Sequence, residues 1–397
     1  MSDKPKTLAE WQLAWTPQQI VWRTGWQSQL DDARQERIRA RAERRRRDRK
    51  TFGANLWGAS EATRGAESAI TSNEFEDLPV LGSEAELALW LNISLPRLRW
   101  FTHDRTVDFV WHYVRYTIPK RRGGQRVILA PKRELKAIQR KILSEIVSKL
   151  WVESAAHGFV PGRSVISNAA PHVGKKFVLN MDLRDFFPSI TFRQVRHVFI
   201  GVGYSFAVAS TLALLCTERD RVVLERNGAQ VYVAVGERTL IQGAPTSPAL
   251  SNRVAWYIDQ RLMKLAAAMD ITYTRYADDL TFSGDDYQMI YAVQKTAARI
   301  LTDEKFTVHH EKTRLYRQSN RQIVTGLVVN DKVSVPRDMR RTLRAILHNA
   351  QKGGLAAQNR NNIPNFPAYL TGWIGYVGQT DAALAEKLSA LLREVSD

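Results

Sequence analysis

The sequence predicts an α+β fold in which an antiparallel sheet carries helices on one face. Three observations lead there. Two segments, YVRYTIPKRRGGQRVILAP (residues 113–131) and ITYTRYADDLTFSG (271–284), alternate like hairpins, the first around Gly123-Gly124. KKFVLNMDL (175–183) is a short apolar run of the kind buried in a sheet. Strands and helices do not alternate regularly enough for a doubly wound parallel sheet.

Taken in order, residues 1–78 form a basic extension unlike the rest. Trp11, Trp15, Trp22 and Trp26 stand at near-heptad spacing, which suits a helical stripe docked on the main body or a separate partner surface. The run RIRARAERRRRDRK (37–50) reads as a helix whose like charges repel unless phosphates neutralise them, so RNA contact competes with a merely solvated face. Gly, Ser, Ala and Asn between Thr51 and Asn73 suggest a linker. From residue 79 the pattern becomes globular, and ELKAIQRKILSEIVSKLW (134–151) repeats apolar residues at helical spacing. Pro336 to Asp397 reads as mostly helical.

Composition narrows the partners. Of 397 residues, 44% are apolar, enough for two or three packed units. Lys plus Arg number 58 against 40 Asp plus Glu, a formal charge of +18, beyond what solubility requires. A polyanion is the expected partner. Nucleic acid fits better than a membrane, because the cations are mixed with 11 Trp, 12 Tyr and 14 Phe that can stack on bases. The single Cys216 excludes an intramolecular disulfide and a cysteine-clustered zinc site. MSDKPKTLAEWQLAW lacks the features of a signal peptide, and no run of ~18 apolar residues occurs. A cytoplasmic protein that does not span a membrane is expected.

The chemistry centres on acids where strands should end: Asp182 after FVLNM, and Asp278 with Asp279 at the tip of the second hairpin. An Asp-Asp pair alone is more often a turn or capping feature. Phosphoryl transfer gives these acids another reason, since two divalent cations about 3.5–4 Å apart must be held by carboxylates. Hard oxygen ligands suit Mg²⁺, with Mn²⁺ as the alternative.

Tyr276-Ala277-Asp278-Asp279 resembles the YxDD signature of reverse transcriptases, and NMDLRDFF (180–187) resembles their first catalytic motif. Between them QGAPTSPALSN (242–252) is similar to the family's QGxxxSPxxxN motif. The resemblance runs from about Pro119 to Asn330. It implies a right-hand polymerase: fingers and palm over 79–330 and a helical thumb over 331–397. It implies that Asp182, Asp278 and Asp279 hold two metal ions, and that Gln242 and Gly243 line the nucleotide pocket. Lys120 and Arg126 are its candidates for gripping the dNTP triphosphate, although cations on a hairpin are usually just solvated. Phe187 matches the sugar-facing aromatic that excludes a ribose 2′-hydroxyl, with Phe186 as the core residue beside it. Lys312, in HHEKTRL, matches a lysine that protonates the leaving pyrophosphate, but His309 replaces the asparagine common in relatives.

Asn168-Ala169-Ala170-Pro171-His172 resembles the NAxxH element of retron reverse transcriptases, and Val324-Thr325-Gly326 their VTG element. Asn168 and His172 are therefore candidate RNA contacts, against the plainer reading of His172 as a satisfied structural histidine. VPRDMRRTLRAILHNAQKGG (335–354) resembles the thumb, with Arg340, Arg341 and Arg344 at helical spacing for phosphates. The resemblance implies a structured noncoding RNA partner, a branched DNA product and an associated effector protein, in antiphage defence. The oligomeric state is open. Two alternatives stand beside it: another bacterial reverse transcriptase, intron-like or from a different defence system, and a scaffold or antitoxin that holds RNA and protein with polymerisation incidental.

Overall fold

The structure, a computed structural model, describes residues 77–120, 123–226 and 228–395. The readings of the tryptophans, arginine run and linker near the N-terminus lie outside the described residues. Helices α1 (Glu84–Trp90) and α2 (Leu95–Thr102) each start at a serine, Ser83 and Ser94, whose hydroxyl accepts a backbone N–H three residues on. After β1 (Val107–Asp108) comes the predicted first hairpin, β2 (Tyr113–Pro119) with β3 (Gln125–Pro131). Helix α3 (Arg133–Glu145) stops short of the expected 151, because Ile146 leaves helical geometry at φ −123° and the chain continues as a 3₁₀ turn.

Short α4 (Val165–Ala169) precedes β4 (Phe177–Arg184), the strand read from KKFVLNMDL. Helices α5 (Phe186–Ser189), α6 (Phe192–Gly201) and α7 (Phe206–Cys216) lead to a long hairpin, β5 (Glu218–Arg226) with β6 (Ala229–Thr239). The sequence reading did not single out this hairpin, although the Asn227-Gly228 dipeptide is a strong turn signal. Next are α8 (Ser247–Val254), α9 (Trp256–Ala268), the second predicted hairpin of β7 (Thr272–Tyr276) and β8 (Asp279–Gly284), and α10 (Tyr287–Asp303). Short strands β9 (Thr307–Val308), β10 (Arg314–Arg317), β11 (Ile323–Val324) and β12 (Leu327–Val328) precede α11 (Arg337–Gly353), α12 (Phe366–Gly378) and α13 (Ala382–Glu394).

The central sheet has the order β10-β4-β8-β7, with β9 pairing the far end of β4, and every pair is antiparallel. Period-two alternation divides β4 cleanly. Leu179, Met181 and Leu183 enter the main core with Leu280 and Phe282 of β8. Val178, Asn180 and Asp182 face the other way. Val178 joins a second apolar cluster with Leu343, Leu347, Leu370 and Ile374 of α11 and α12, and Asn180 donates to the Ile323 carbonyl at 2.7 Å. The sheet's second face is thus covered at one end and open at the other, a cover the one-face expectation did not include. Burying each of those leucines contributes roughly 1.5–3 kcal/mol, which seats the C-terminal helices on the sheet. The fold is of the expected α+β class, built on an antiparallel central sheet.

Candidate active site

The open end of the second face collects the three acids. Asp182, two residues before the end of β4, lies directly opposite Asp279 of β8, and Asp278 lies in the β7–β8 turn. Backbone contacts fix this geometry: the Leu183 N–H donates to the Asp278 carbonyl at 3.0 Å, and the His309 N–H to the Asp182 carbonyl at 2.7 Å. Because His309 acts here through its backbone, replacing the relatives' asparagine leaves that anchor intact. Lys312 donates from Nζ to Asp182 Oδ1 at 2.7 Å.

Burial, then the Asp182 charge, raises the Asp278 carboxyl above the ordinary range. Although Asp279 is open to solvent, its crowded setting and the charges of Asp278 and Asp182 push it up to about 7. Both shifts express negative charge that a cation would offset. Among the described residues no three or more His, Cys, Asp or Glu side chains are gathered so as to hold a metal ion by themselves. An open arrangement is what Mg²⁺ uses, since it takes one or two carboxylates and completes its shell with water and substrate phosphates. The acids therefore fit divalent ions that arrive with a nucleotide.

Beside them lies a cleft of about 400 Å³ lined by Arg126, Lys136, Arg140, Phe187, Gln242 and Gly243 among others. Arg126 of β3 also reaches the carboxylates electrostatically, lowering the Asp278 carboxyl against the larger upward effects. Phe187 faces the cleft while Phe186 is buried in the core. Lys120 sits in the β2–β3 turn, its backbone bonded to Gly123 and Gly124, and is not among the cleft residues. The cleft instead gains Lys136 and Arg140 from α3, which the sequence reading missed. Their i, i+4 spacing on a helix was the available signal.

Gly243 shows why its motif needs glycine. Its φ is +118°, and a Cβ there would stand 2.7 Å from the Leu129 carbonyl oxygen, while Leu129 donates its own N–H to the Gln242 carbonyl at 2.8 Å. Gly243→Ala is expected to displace β3 and with it Arg126. The apparent KM for dNTP should rise tenfold or more, roughly 1.4 kcal/mol, while melting temperature falls only modestly. Steady-state extension at varied dNTP measures this, and an unchanged KM would refute the role of the contact.

Behind the catalytic turn is a buried polar network. Ala277 holds φ +58°, a strained value for a residue with a side chain. Arg275, wholly buried, donates to the Ala277 carbonyl at 3.1 Å, to Asn252 Oδ1 at 3.0 Å, and to both oxygens of Asp259 at 2.8 and 2.6 Å. Tyr273 donates its hydroxyl to Asp259 at 2.9 Å, and Asn252 donates to the Gly158 carbonyl at 2.8 Å. Gly158 lies so close that a Cβ would be 2.5 Å from the Ala277 nitrogen.

Asn168 and His172 need correction as RNA contacts, because both are fully buried. His172 bridges the Ser283 and Thr274 hydroxyls at 2.7 and 2.8 Å, and burial holds its imidazole down at about 3. Asn168 donates to Thr325 Oγ1 at 3.5 Å and accepts from Thr274 through its carbonyl at 3.4 Å. The NAxxH and VTG elements thus meet beneath the covered end of the sheet and hold it in place. On α11, Arg341 and Arg344 are exposed and Arg340 is half-buried, while Leu343 and Leu347 are buried.

The profile described as "Reverse transcriptase (RNA-dependent DNA polymerase)" matches residues 118–335. Retron Mx65 reverse transcriptase of Myxococcus xanthus is 47% identical over 312 residues, 79% of this chain and 71% of its own length. Retron Mx162 reverse transcriptase of the same organism is 41% identical, covering 80% and 68%. Retron Ec86 reverse transcriptase of Escherichia coli is 31% identical, covering 78% and 88%.

Proposed function

We propose, since this chain belongs to the retron reverse transcriptases and is an RNA-directed DNA polymerase, that it copies part of a structured noncoding RNA into a branched DNA joined to that RNA. The observation that carries the reading is the meeting of Asp182, Asp278 and Asp279 from separate segments, beside a cleft lined with arginine and lysine.

In this reading the family's divalent-metal requirement would be met by two Mg²⁺ ions, which when bound would supply positive charge for the primer hydroxyl and the departing pyrophosphate. Asp182, Asp278 and Asp279 hold them. Arg126, Lys136 and Arg140 neutralise the triphosphate as charge develops on it. Gln242 and Gly243 form the pocket floor, Phe187 excludes the ribose 2′-hydroxyl, and Lys312 leaves Asp182 to protonate pyrophosphate. Lys120 contributes only long-range attraction from its turn. Arg340, Arg341 and Arg344 follow phosphates of the template duplex. Residues 1–78 form a basic extension, 79–330 the fingers and palm, and 331–397 the thumb. Work in the cytoplasm, as part of an antiphage module with an effector protein, completes the proposal. Among the described residues no helix is long and apolar enough to cross a membrane.

Expression of the chain with the DNA flanking its gene tests the function. A small branched DNA should be recovered from wild type and be absent with Asp278→Ala. Polymerase activity on a primed template without any branched product would reject the retron product while keeping the polymerase.

Metal dependence should also carry a pH signature. With Asp279 titrating at about 7, a cation bound there must displace a proton at lower pH. The half-saturating Mg²⁺ concentration for extension is expected to rise as pH falls through 7, by about tenfold per unit for one displaced proton. Mg²⁺ titrations between pH 6 and 8 read this directly. A requirement independent of pH would remove Asp279 from the ligand set.

A further inference from the structure

The polymerase cleft is not the only place where aromatic and cationic groups interleave. On α10, Tyr287 and Tyr291 are 39% and 44% exposed, with ring centroids 6.4 Å apart and planes within 11° of parallel. Arg317 of β10 lies over Tyr287 at 5.9 Å, and Lys295, one helical turn beyond Tyr291, lies over that ring at 4.4 Å. The order along the surface is arginine, tyrosine, tyrosine, lysine. Among the described residues neither Lys295 nor Arg317 forms an ion pair with a carboxylate. The nearby acids are otherwise engaged: Asp285 pairs with Lys175 at 3.6 Å and accepts the Lys176 N–H, and Asp286 caps α10.

The ladder is well separated from the acids. Tyr287 packs on Phe177 at 5.6 Å, and Phe177 begins β4 whereas Asp182 lies near its end. Five residues of extended strand span about 17 Å.

We propose that Tyr287, Tyr291, Lys295 and Arg317 form a second nucleic-acid surface, which takes a single-stranded segment of RNA by stacking while the cleft is occupied. The spacing supports it. Two nearly parallel rings with centroids 6.4 Å apart set two stacking platforms within reach of neighbouring bases on one strand. Lys295 and Arg317, on flexible stems at the two ends, then move from ring faces to the flanking phosphates. Stacking of this kind tolerates any base, which suits a surface that holds a folded RNA without reading its sequence. The inference rests on the RNA-templated activity only in taking RNA as the ligand.

The test uses the full chain with its cleft filled by a primed RNA template, probed with a fluorescein-labelled 12-nucleotide oligouridylate. Wild type should bind the probe, and Tyr287→Ala/Tyr291→Ala should bind it at least tenfold more weakly while extending the primed template within twofold of wild type. Tyr287→Phe/Tyr291→Phe should restore binding, because the rings and not the hydroxyls stack. Lys295→Ala/Arg317→Ala should reduce the salt dependence of binding by about two phosphate contacts. Equal probe affinity in wild type and the double alanine variant overturns the proposal, as does failure of wild type to bind the probe once the cleft is filled. Failure of the polymerase reading would appear separately, as no extension by wild type.

Discussion

Asp182→Asn is expected to abolish primer extension, by roughly 10³-fold or more, while leaving the fold intact. A metal ligand supplies several kcal/mol of transition-state stabilisation, and each ~1.4 kcal/mol lost is a factor of ten. Stability should move little and need not fall. Asp279 titrates at about 7 in the folded chain, above its ordinary value, so the native state holds that proton more tightly than the unfolded chain. Native stability in chelator therefore declines as pH rises from about 4 to 7. Removing the Asp182 charge weakens that decline. Against this gain stands loss of the Lys312 pair, which is worth at most about 1 kcal/mol because the lysine is 45% exposed. Single-nucleotide extension on a primed RNA template, with melting in chelator at pH 5 and 8, measures both quantities. Extension within tenfold of wild type would contradict the assigned role of Asp182.

The contrast between Asp182 and Arg275 shows how far the sequence could be read. Asp182 was legible because strand periodicity and the flanking apolar run placed it at a strand end, with Asp278 and Asp279 at a hairpin tip of the same sheet. Phe187 and Gly243 were legible through short motifs whose spacing is local. Lys136 and Arg140 were within reach, since two cations one helical turn apart share a face. Arg275 was not legible: a charge at the centre of a strand gives no local sign of its burial, and its partner Asp259 lies on a preceding helix 16 residues away. The same limit affected Asn168 and His172, whose motif was visible but whose direction, into the sheet and not toward RNA, depends on packing against Thr274, Ser283 and Thr325. For Lys120 hairpin membership was clear from the sequence, but reach toward the cleft depends on where the turn points, which local spacing does not encode.

Arg275 carries the second large effect, and it separates holding the turn from holding the fold. Arg275→Met is expected to cost about 3–5 kcal/mol, since it strands the buried Asp259 carboxylate without its partner. Lost activity in that variant would be ambiguous. The triple variant Arg275→Met/Asp259→Leu/Tyr273→Phe removes the charges together with the hydroxyl that bonds to them, and buried ion pairs replaced by apolar groups are commonly neutral or better. Stability should return to within about 2 kcal/mol of wild type, the remainder reflecting the unpaired Ala277 carbonyl and Asn252 side chain. Extension should stay at least tenfold below wild type, with a higher Mg²⁺ requirement, because the Arg275 bond that ties the strained Ala277 carbonyl to the layer beneath is lost and the alignment of Asp278 and Asp279 with Asp182 loosens. Urea unfolding and Mg²⁺-dependent extension on the same preparations decide the matter. Recovery of activity along with stability would mean that Arg275 serves the fold alone, whereas recovery of stability without activity places it among the groups that position the carboxylates.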